Sequence, residues 1–366
     1  MADVTIILGT RPEIIKLAPV IRACEQRGVD YSVIHTGQHY SDSLDSVFFE
    51  QLELPEPDHH LGVGSDTHAN QTAQMMMGIE EILLDEEPEV VLVQGDTNSV
   101  LAGALATSKL DIEIGHVEAG LRSFDRSMPE ETNRVVTDHV GDYLFAPTEQ
   151  SRQYLLDEGV SDDRIYVTGN TVVDAVEQNR ELARRKSNIL KELDLEPDEF
   201  ALLTAHRAEN VDDSQRFEDL LAGVGRAASE FDLEVVYPIH PRAEQKLDEF
   251  GLDVPDRIRL LEPQDYLDFL TLESAAAVIL TDSGGVQEEA CILDVPCVTL
   301  RENTERPETI DVGANRLVGT DPAAIVDGAT EAVNSVSYWE NPFGDGTAAK
   351  QTLDALALPP TTEVIQ

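Results

Sequence analysis

Basic residues are scarce in this chain: 26 Lys and Arg stand against 71 Asp and Glu among 366 residues, for a formal net charge of −45. Phosphate backbones and anionic bilayers are both bound through clustered Lys and Arg, and the longest basic run here is Arg184-Arg185-Lys186. Nucleic acid and membrane surfaces are therefore excluded as partners. Cysteine is scarcer still. Cys24, Cys291 and Cys297 are too few and too far apart for a disulfide framework, a CxxC redox pair or a zinc site, and read as small buried hydrophobes. No metal is expected. Hydrophobic residues make up 41% of the chain, yet no apolar run approaches the roughly 18 residues of a membrane span. No basic segment and apolar stretch precede the first strand, which predicts a cytoplasmic protein without a secretory signal. Glycine patterns of the GxGxxG and P-loop kinds are missing too, so neither NAD(P) nor ATP is indicated and no cofactor is expected.

What is abundant is negative charge. A compact monomer of 40.2 kDa would expose roughly 14,500 Å², or about one uncompensated charge per 320 Å². Such charges lie about 18 Å apart, within the screening length of dilute buffer and far beyond that of molar salt. Only six of the basic residues are lysine. This surface predicts adaptation to high salt.

Along the chain, short apolar runs alternate with segments of helical periodicity. Runs fall at 4–8, 31–36, 90–94, 114–117, 143–147 and 165–168, then at 200–204, 235–239, 258–261, 277–281 and 297–300. Strands apolar on both faces and separated by helices predict parallel sheets covered on both sides. The length exceeds what one core sustains, and a polar helical segment follows 172. The expected architecture is α/β, with two doubly wound, Rossmann-like domains facing a cleft. Domain one spans 1–172 and domain two 173–345. A break at Asn341-Pro342-Phe343-Gly344 precedes a last helix, within 346–366, expected to pack back on domain one.

In such sheets ligands collect beyond the carboxyl ends of the strands. The residues there are Arg11 and Lys16, Gln38 and His39, Asp96, and Glu118 with Arg122; in the second half, His206, His240 and Asp282-Ser283-Gly284-Gly285. Cationic groups gathered at strand ends of so acidic a protein imply an anionic ligand. Ser283, Gly284 and Gly285 open a helix whose free N–H groups suit a phosphate. Glu289, one turn further, is placed to accept two ribose hydroxyls, and Arg306 to bind phosphate bidentately. Glu118 and the pair Glu130-Glu131 offer carboxylates for the two faces of a sugar ring, since inverting a C–H centre removes a proton from one side and returns it to the other. Asp96 is a third candidate. Glu130 and Glu131 also follow Pro129, where acidic residues favour a helix start for electrostatic reasons alone. His59-His60 reads as surface rather than as a metal pair.

Eight of these segments, in order along the chain, resemble the non-hydrolysing UDP-N-acetylglucosamine 2-epimerases. They are Gly9-Thr10-Arg11-Pro12-Glu13 with Lys16, Gln94-Gly95-Asp96-Thr97, Gly115-His116-Val117-Glu118-Ala119-Gly120-Leu121-Arg122, Pro129-Glu130-Glu131, Thr168-Gly169-Asn170-Thr171, His206-Arg207, Thr281-Asp282-Ser283-Gly284-Gly285-Val286-Gln287-Glu288-Glu289 and Glu305-Arg306-Pro307-Glu308. The resemblance implies a GT-B-like fold and interconversion of UDP-GlcNAc and UDP-ManNAc, by loss of UDP to 2-acetamidoglucal and its re-addition, without NAD or an obligatory metal. It implies Asp96, Glu118 and Glu130 as acid/base carboxylates and His206 beside the diphosphate. Arg11, Lys16, Arg122, Ser283, Gly284, Gly285, Glu289 and Arg306 become substrate contacts, and Gln38, His39 and His240 parts of a regulatory site. It also implies a homodimer, and a product used in cell-surface polysaccharide or glycoprotein glycans. Two alternatives stay open, a related substrate such as a UDP-2,3-diacetamido sugar and a GT-B glycosyltransferase. Relatives acting on the former usually carry Gly-Asn-Arg in place of Gly120-Leu121-Arg122.

Overall fold

The computed structural model describes residues 3–38, 42–334 and 338–357, those at 42–46 by their backbone alone. The first compact unit contains β1 (Val4–Leu8), β2 (Tyr31–His35), β3 (His59–His60), β4 (Val90–Gln94), β5 (Glu113–Val117), β6 (Tyr143–Ala146) and β7 (Ile165–Val167). All pair in parallel, in the order β3-β2-β1-β4-β5-β6-β7. The second contains β8 (Phe200–Thr204), β9 (Glu234–Pro238), β10 (Ile258–Leu261), β11 (Val278–Thr281), β12 (Cys297–Thr299) and β13 (Asn315–Leu317), ordered β10-β9-β8-β11-β12-β13. Each sheet thus runs outward both ways from a switch point, β1/β4 in one and β8/β11 in the other.

Apolar character on both faces builds these sheets. Every residue of β1 and β4 is buried, and each fully buried Ile, Leu or Val contributes roughly 1.5–3 kcal/mol. The helix Arg11–Arg27 packs Ile14, Leu17, Ala18 and Ile21 against this layer and ends at Gly28, whose φ of 65° supplies a left-handed cap at little cost. Gly9, between strand and helix, has no room for a side chain: a Cβ would meet Thr36 Oγ1 at 2.0 Å and Ser99 Oγ at 2.3 Å. That close approach brings the β1 exit against the helix Asn98–Thr107, which follows β4.

Two strands carry no apolar run and were not expected. β3 is a two-residue His-His edge pairing with Ile34 and His35, and β13 is a three-residue edge opening on Asn315 and Arg316. The chain passes between units at Glu177/Gln178, beyond the expected 172, because the helix Thr171–Lys186 runs unbroken through the boundary. The chain rejoins the first unit at Phe343. There the Asp174 carboxylate accepts the N–H groups of Ala348 and Ala349 at 3.1 and 3.0 Å, capping the helix Ala348–Leu356, and Arg27 pairs with Asp354 at 2.8 Å.

Candidate active site

Parallel register places the first unit's acidic candidates together. Gln94 of β4 lies opposite Val117 of β5, so Asp96 and Glu118 leave adjacent strand ends. Glu118 takes a left-handed φ of 70°, a strain of about 1–3 kcal/mol for a residue with a Cβ. The strain is held by polar contacts. Lys16 Nζ donates to both Glu118 oxygens at 2.8 Å, the Gln94 amide donates to Oε2, and the next N–H, of Ala119, donates to Phe145 O at 3.1 Å. Asp96 projects to Arg134, with which its carboxylate pairs, and Asn133 Nδ2 donates to the Asp96 carbonyl at 2.9 Å. Both partners belong to the helix Pro129–Val140, whose first turn carries Glu130 and Glu131.

Those two neighbours have separate environments. Glu131 is buried and accepts from Ser123 N, Ser123 Oγ and Phe124 N at 2.9–3.0 Å. Burial works against its ionised form, but these donors with Arg134 keep the carboxyl below its usual range. Glu131 is thus consumed in folding the loop back onto the helix. Glu130 is half-buried and has no side-chain hydrogen bond or ion pair among the described residues.

Arg122 is not brought to this group. Its side chain is 1% exposed, sandwiched between Asp138 and Glu158 at 2.7 Å each, so its charge is spent inside the unit. Arg11 stands exposed at the start of its helix, its guanidinium 4.4 Å from the centre of the Phe48 ring. Of the expected regulatory residues, Gln38 accepts from Ser99 N and Oγ at 3.1 and 2.8 Å. His39 lies outside the described residues.

In the second unit the groups gather around β8 and β11. Asp282 is fully buried and accepts from His206 N, Arg207 N and Asn210 Nδ2. Its Oδ1 lies 3.1 Å from His206 Nδ1. Burial pushes Asp282 up, yet His206, Arg207 and Asn210 together leave it depressed. An ionised Asp282 fixes the proton on Nδ1 and turns Nε2 outward on a ring 42% exposed. The His240 ring lies 5.7 Å away; its Nδ1 accepts the Arg242 N–H at 3.1 Å, and desolvation with His206 lowers its pKa. Ser283 occupies the N-cap position of the helix Gly284–Ile292 without a side-chain bond to its first turn. A Cβ on Gly284 would stand 3.8 Å from Glu305 and one on Gly285 4.0 Å from Ser283, so no packing among the described residues demands these glycines. Arg306 Nε is 2.7 Å from Glu288 Oε1. Glu289 is half-buried, and behind it sits Glu273, raised well above the carboxylate range by burial and by Glu289 itself.

Several participants carried no signal that sequence spacing reveals. Glu13 is buried and accepts from Gly9 N, Thr10 Oγ1 and Thr97 Oγ1, bridging the β1 and β4 exits. Arg301, 4% exposed, pairs with Glu305 and Glu209 at 2.9 and 3.2 Å and holds Glu305 down at about 2. Gln94 was visible only as part of a strand-end segment and Arg134 not as a site residue; the partner of the first is set by sheet register, that of the second by where the helix Pro129–Val140 lies. His59 pairs with Glu86 at 2.6 Å. Among the described residues no cluster of three His, Cys, Asp or Glu is placed to hold a metal ion, and no helix is long and apolar enough to cross a membrane. All three cysteines are buried, and burial pushes the Cys24 and Cys291 thiols up to about 12.

Two doubly wound parallel sheets, each with polar residues massed beyond its switch point, define a two-domain Rossmann-like protein. The family model described as UDP-N-acetylglucosamine 2-epimerase matches residues 22–357. The UDP-N-acetylglucosamine 2-epimerase of Methanocaldococcus jannaschii is 51% identical over 96% of this chain and 98% of its own. A crystal structure of the M. jannaschii UDP-GlcNAc 2-epimerase, in complex with UDP-GlcNAc and UDP, superposes with a TM-score of 0.84 at 51% identity, covering 97% of this chain and 99% of that one. The UDP-2,3-diacetamido-2,3-dideoxy-D-glucuronate 2-epimerase of Pseudomonas aeruginosa is 39% identical over 96% of this chain and 98% of its own. The chain belongs to the UDP-N-acetylglucosamine 2-epimerase family.

Proposed function

We propose that this protein interconverts UDP-GlcNAc and UDP-ManNAc by eliminating UDP and adding it back. The observation that carries this reading is the strand-end constellation of Lys16, Gln94, Glu118, Asp96 and Arg134 in a chain half identical to an epimerase named for UDP-GlcNAc. C2–H is not adjacent to a carbonyl and is a weak acid, so C1–O cleavage must lead. The C1–O pair leaves with UDP, a carboxylate takes the C2 proton, and the C2–H electrons close the C1=C2 bond of 2-acetamidoglucal. A second carboxylate then delivers a proton to the other face of C2 as UDP reattaches at C1. Asp96, Glu118 and Glu130 are the groups for these transfers. UDP falls to the second unit: the helix N-terminus at Ser283-Gly284-Gly285 and Arg306 for diphosphate, Glu289 for ribose, and His206, oriented by Asp282, for the leaving oxygens. The 39% identity to a 2,3-diacetamido-glucuronate epimerase makes that nucleotide the rival substrate.

The net charge and the six lysines support a protein working in concentrated salt, and the sequence resemblance is the ground for reading it as a homodimer that supplies a glycan precursor. Proton NMR in D₂O and high KCl tests the reaction: UDP-GlcNAc must give UDP-ManNAc with deuterium at C2. Free UDP with free ManNAc would make the enzyme a hydrolase, and no exchange with UDP-GlcNAc beside exchange with the diacetamido nucleotide would move the substrate.

A further inference from the structure

Behind the first unit's carboxylates lies a buried ionic group that the proposed reaction does not use. His116 in β5 and Asp138 in the helix Pro129–Val140 both have fully buried side chains, with Nδ1 and Oδ1 2.7 Å apart. On the other side of the ring, His116 Nε2 lies 2.8 Å from the Gly95 carbonyl oxygen. A carbonyl only accepts, so Nε2 carries a proton and donates it, on whichever side of the Nδ1–Asp138 contact the other proton sits. The second Asp138 oxygen accepts the Gly120 N–H at 3.2 Å and an Arg122 NH at 2.7 Å. Burial, the largest influence on Asp138, opposes its charge, but His116 and Arg122 hold the carboxyl below its usual range.

The two backbone groups held in this way are not arbitrary. Gly95 immediately precedes Asp96, and Gly120 follows Glu118 by two residues; both glycines have left-handed φ, 83° and 80°. Gly120 has no alternative occupant, because a Cβ would meet Ser151 O at 2.4 Å. Burying a carboxylate and a guanidinium beside an imidazole is costly, and well-packed apolar residues usually do as well for stability. An apolar residue cannot hold a carbonyl and an N–H in fixed places.

We propose that His116 and Asp138 are positioning residues for epimerisation, one pair setting both the turn that carries Asp96 and the turn that carries Glu118. This rests on the reading of those two carboxylates as the acid/base groups. Side-chain length separates the two contacts of His116. Asn reaches about as far as Nδ1 and keeps Asp138 but loses Gly95, whereas Gln reaches about as far as Nε2 and can still donate to Gly95.

The test is kcat and KM for UDP-GlcNAc, with calorimetric binding of UDP and thermal unfolding, on the full-length protein. His116→Asn should lose about a hundredfold in kcat, as misplacements near 1 Å do, with KM and UDP affinity within about threefold; His116→Gln should recover at least about tenfold of that loss. Asp138→Asn, which still accepts one N–H, should lose about tenfold in kcat alone. A His116→Asn enzyme within about twofold of the parent kcat, or a Gln variant no better than Asn, overturns the proposal. If the His116 variants do not fold, an Asp138→Asn enzyme with unchanged kcat does so. Glu118→Gln run beside them separates the two failures: full turnover there sinks the acid/base reading itself, whereas an inactive Glu118→Gln beside an unaffected His116→Asn sinks only this inference.

Discussion

The Lys16 ammonium stands 2.8 Å from both carboxylate oxygens of Glu118, on side chains 16% and 5% exposed. Removing one member leaves the other charge poorly solvated. Lys16→Met should therefore destabilise the fold by about 2–4 kcal/mol, and Lys16→Met with Glu118→Gln should regain most of that loss, because the remaining pair is neutral. Activity should behave otherwise. Glu118→Gln alone is expected to lower kcat by about 10²–10⁴, and the double variant should not recover it. Urea unfolding and C2 deuterium exchange measured on the same three proteins would expose an error, most directly if the double variant turned over.

Glu130 and Glu131 make a second contrast, between a carboxylate left available and one enclosed in its own loop. Glu130→Gln should cost about 10²–10⁴ in kcat with an unfolding midpoint close to the parent's. Glu131→Gln puts an amide where two N–H groups and a hydroxyl need acceptors, and should cost about 1–3 kcal/mol of stability. Reversed phenotypes, with Glu131→Gln stable and inactive, would exchange the assignments.

Eleven of the strands, and the groups just beyond them, were legible because burial on both faces writes continuous apolar runs such as those of β1 and β4, and because ligands collect beyond strand ends. The order of the strands within each sheet was not, nor were pairings set by distant contacts. Arg122 reads as a ligand cation until the fold brings Asp138 and Glu158 to it, and Glu131 reads as interchangeable with Glu130 until the chain at Ser123 and Phe124 turns back. His59-His60 forms an edge strand through two backbone pairings and offers no apolar run to announce it. Register determines that Gln94 meets Glu118, and one-dimensional spacing does not carry register.

The charge of −45 makes salt a stability variable. Repulsion acts across about 10 Å in 0.1 M salt and about 3 Å at 1 M, so most relief should come below about 1 M KCl. The thermal midpoint should rise by about 5 °C or more over that interval and change less beyond it. A midpoint already at its maximum in dilute buffer would remove the case for salt adaptation.

Glu13 links stability to pH. The carboxyl is 2% exposed, and burial raises it to about 7 even though Thr97, Gly9 and Thr10 all donate to it. The folded state therefore favours the protonated form. Its contribution is present in full below the unfolded value near 4.5, declines as pH rises, and is gone once pH passes about 7, a change of roughly 3 kcal/mol. Glu13→Gln cannot ionise, so between pH 4.5 and 8 the parent should lose stability relative to the variant by about that amount. Denaturant unfolding in constant high KCl across this range measures the difference directly, and two parallel pH curves would show that Glu13 ionises in the fold as easily as in the open chain.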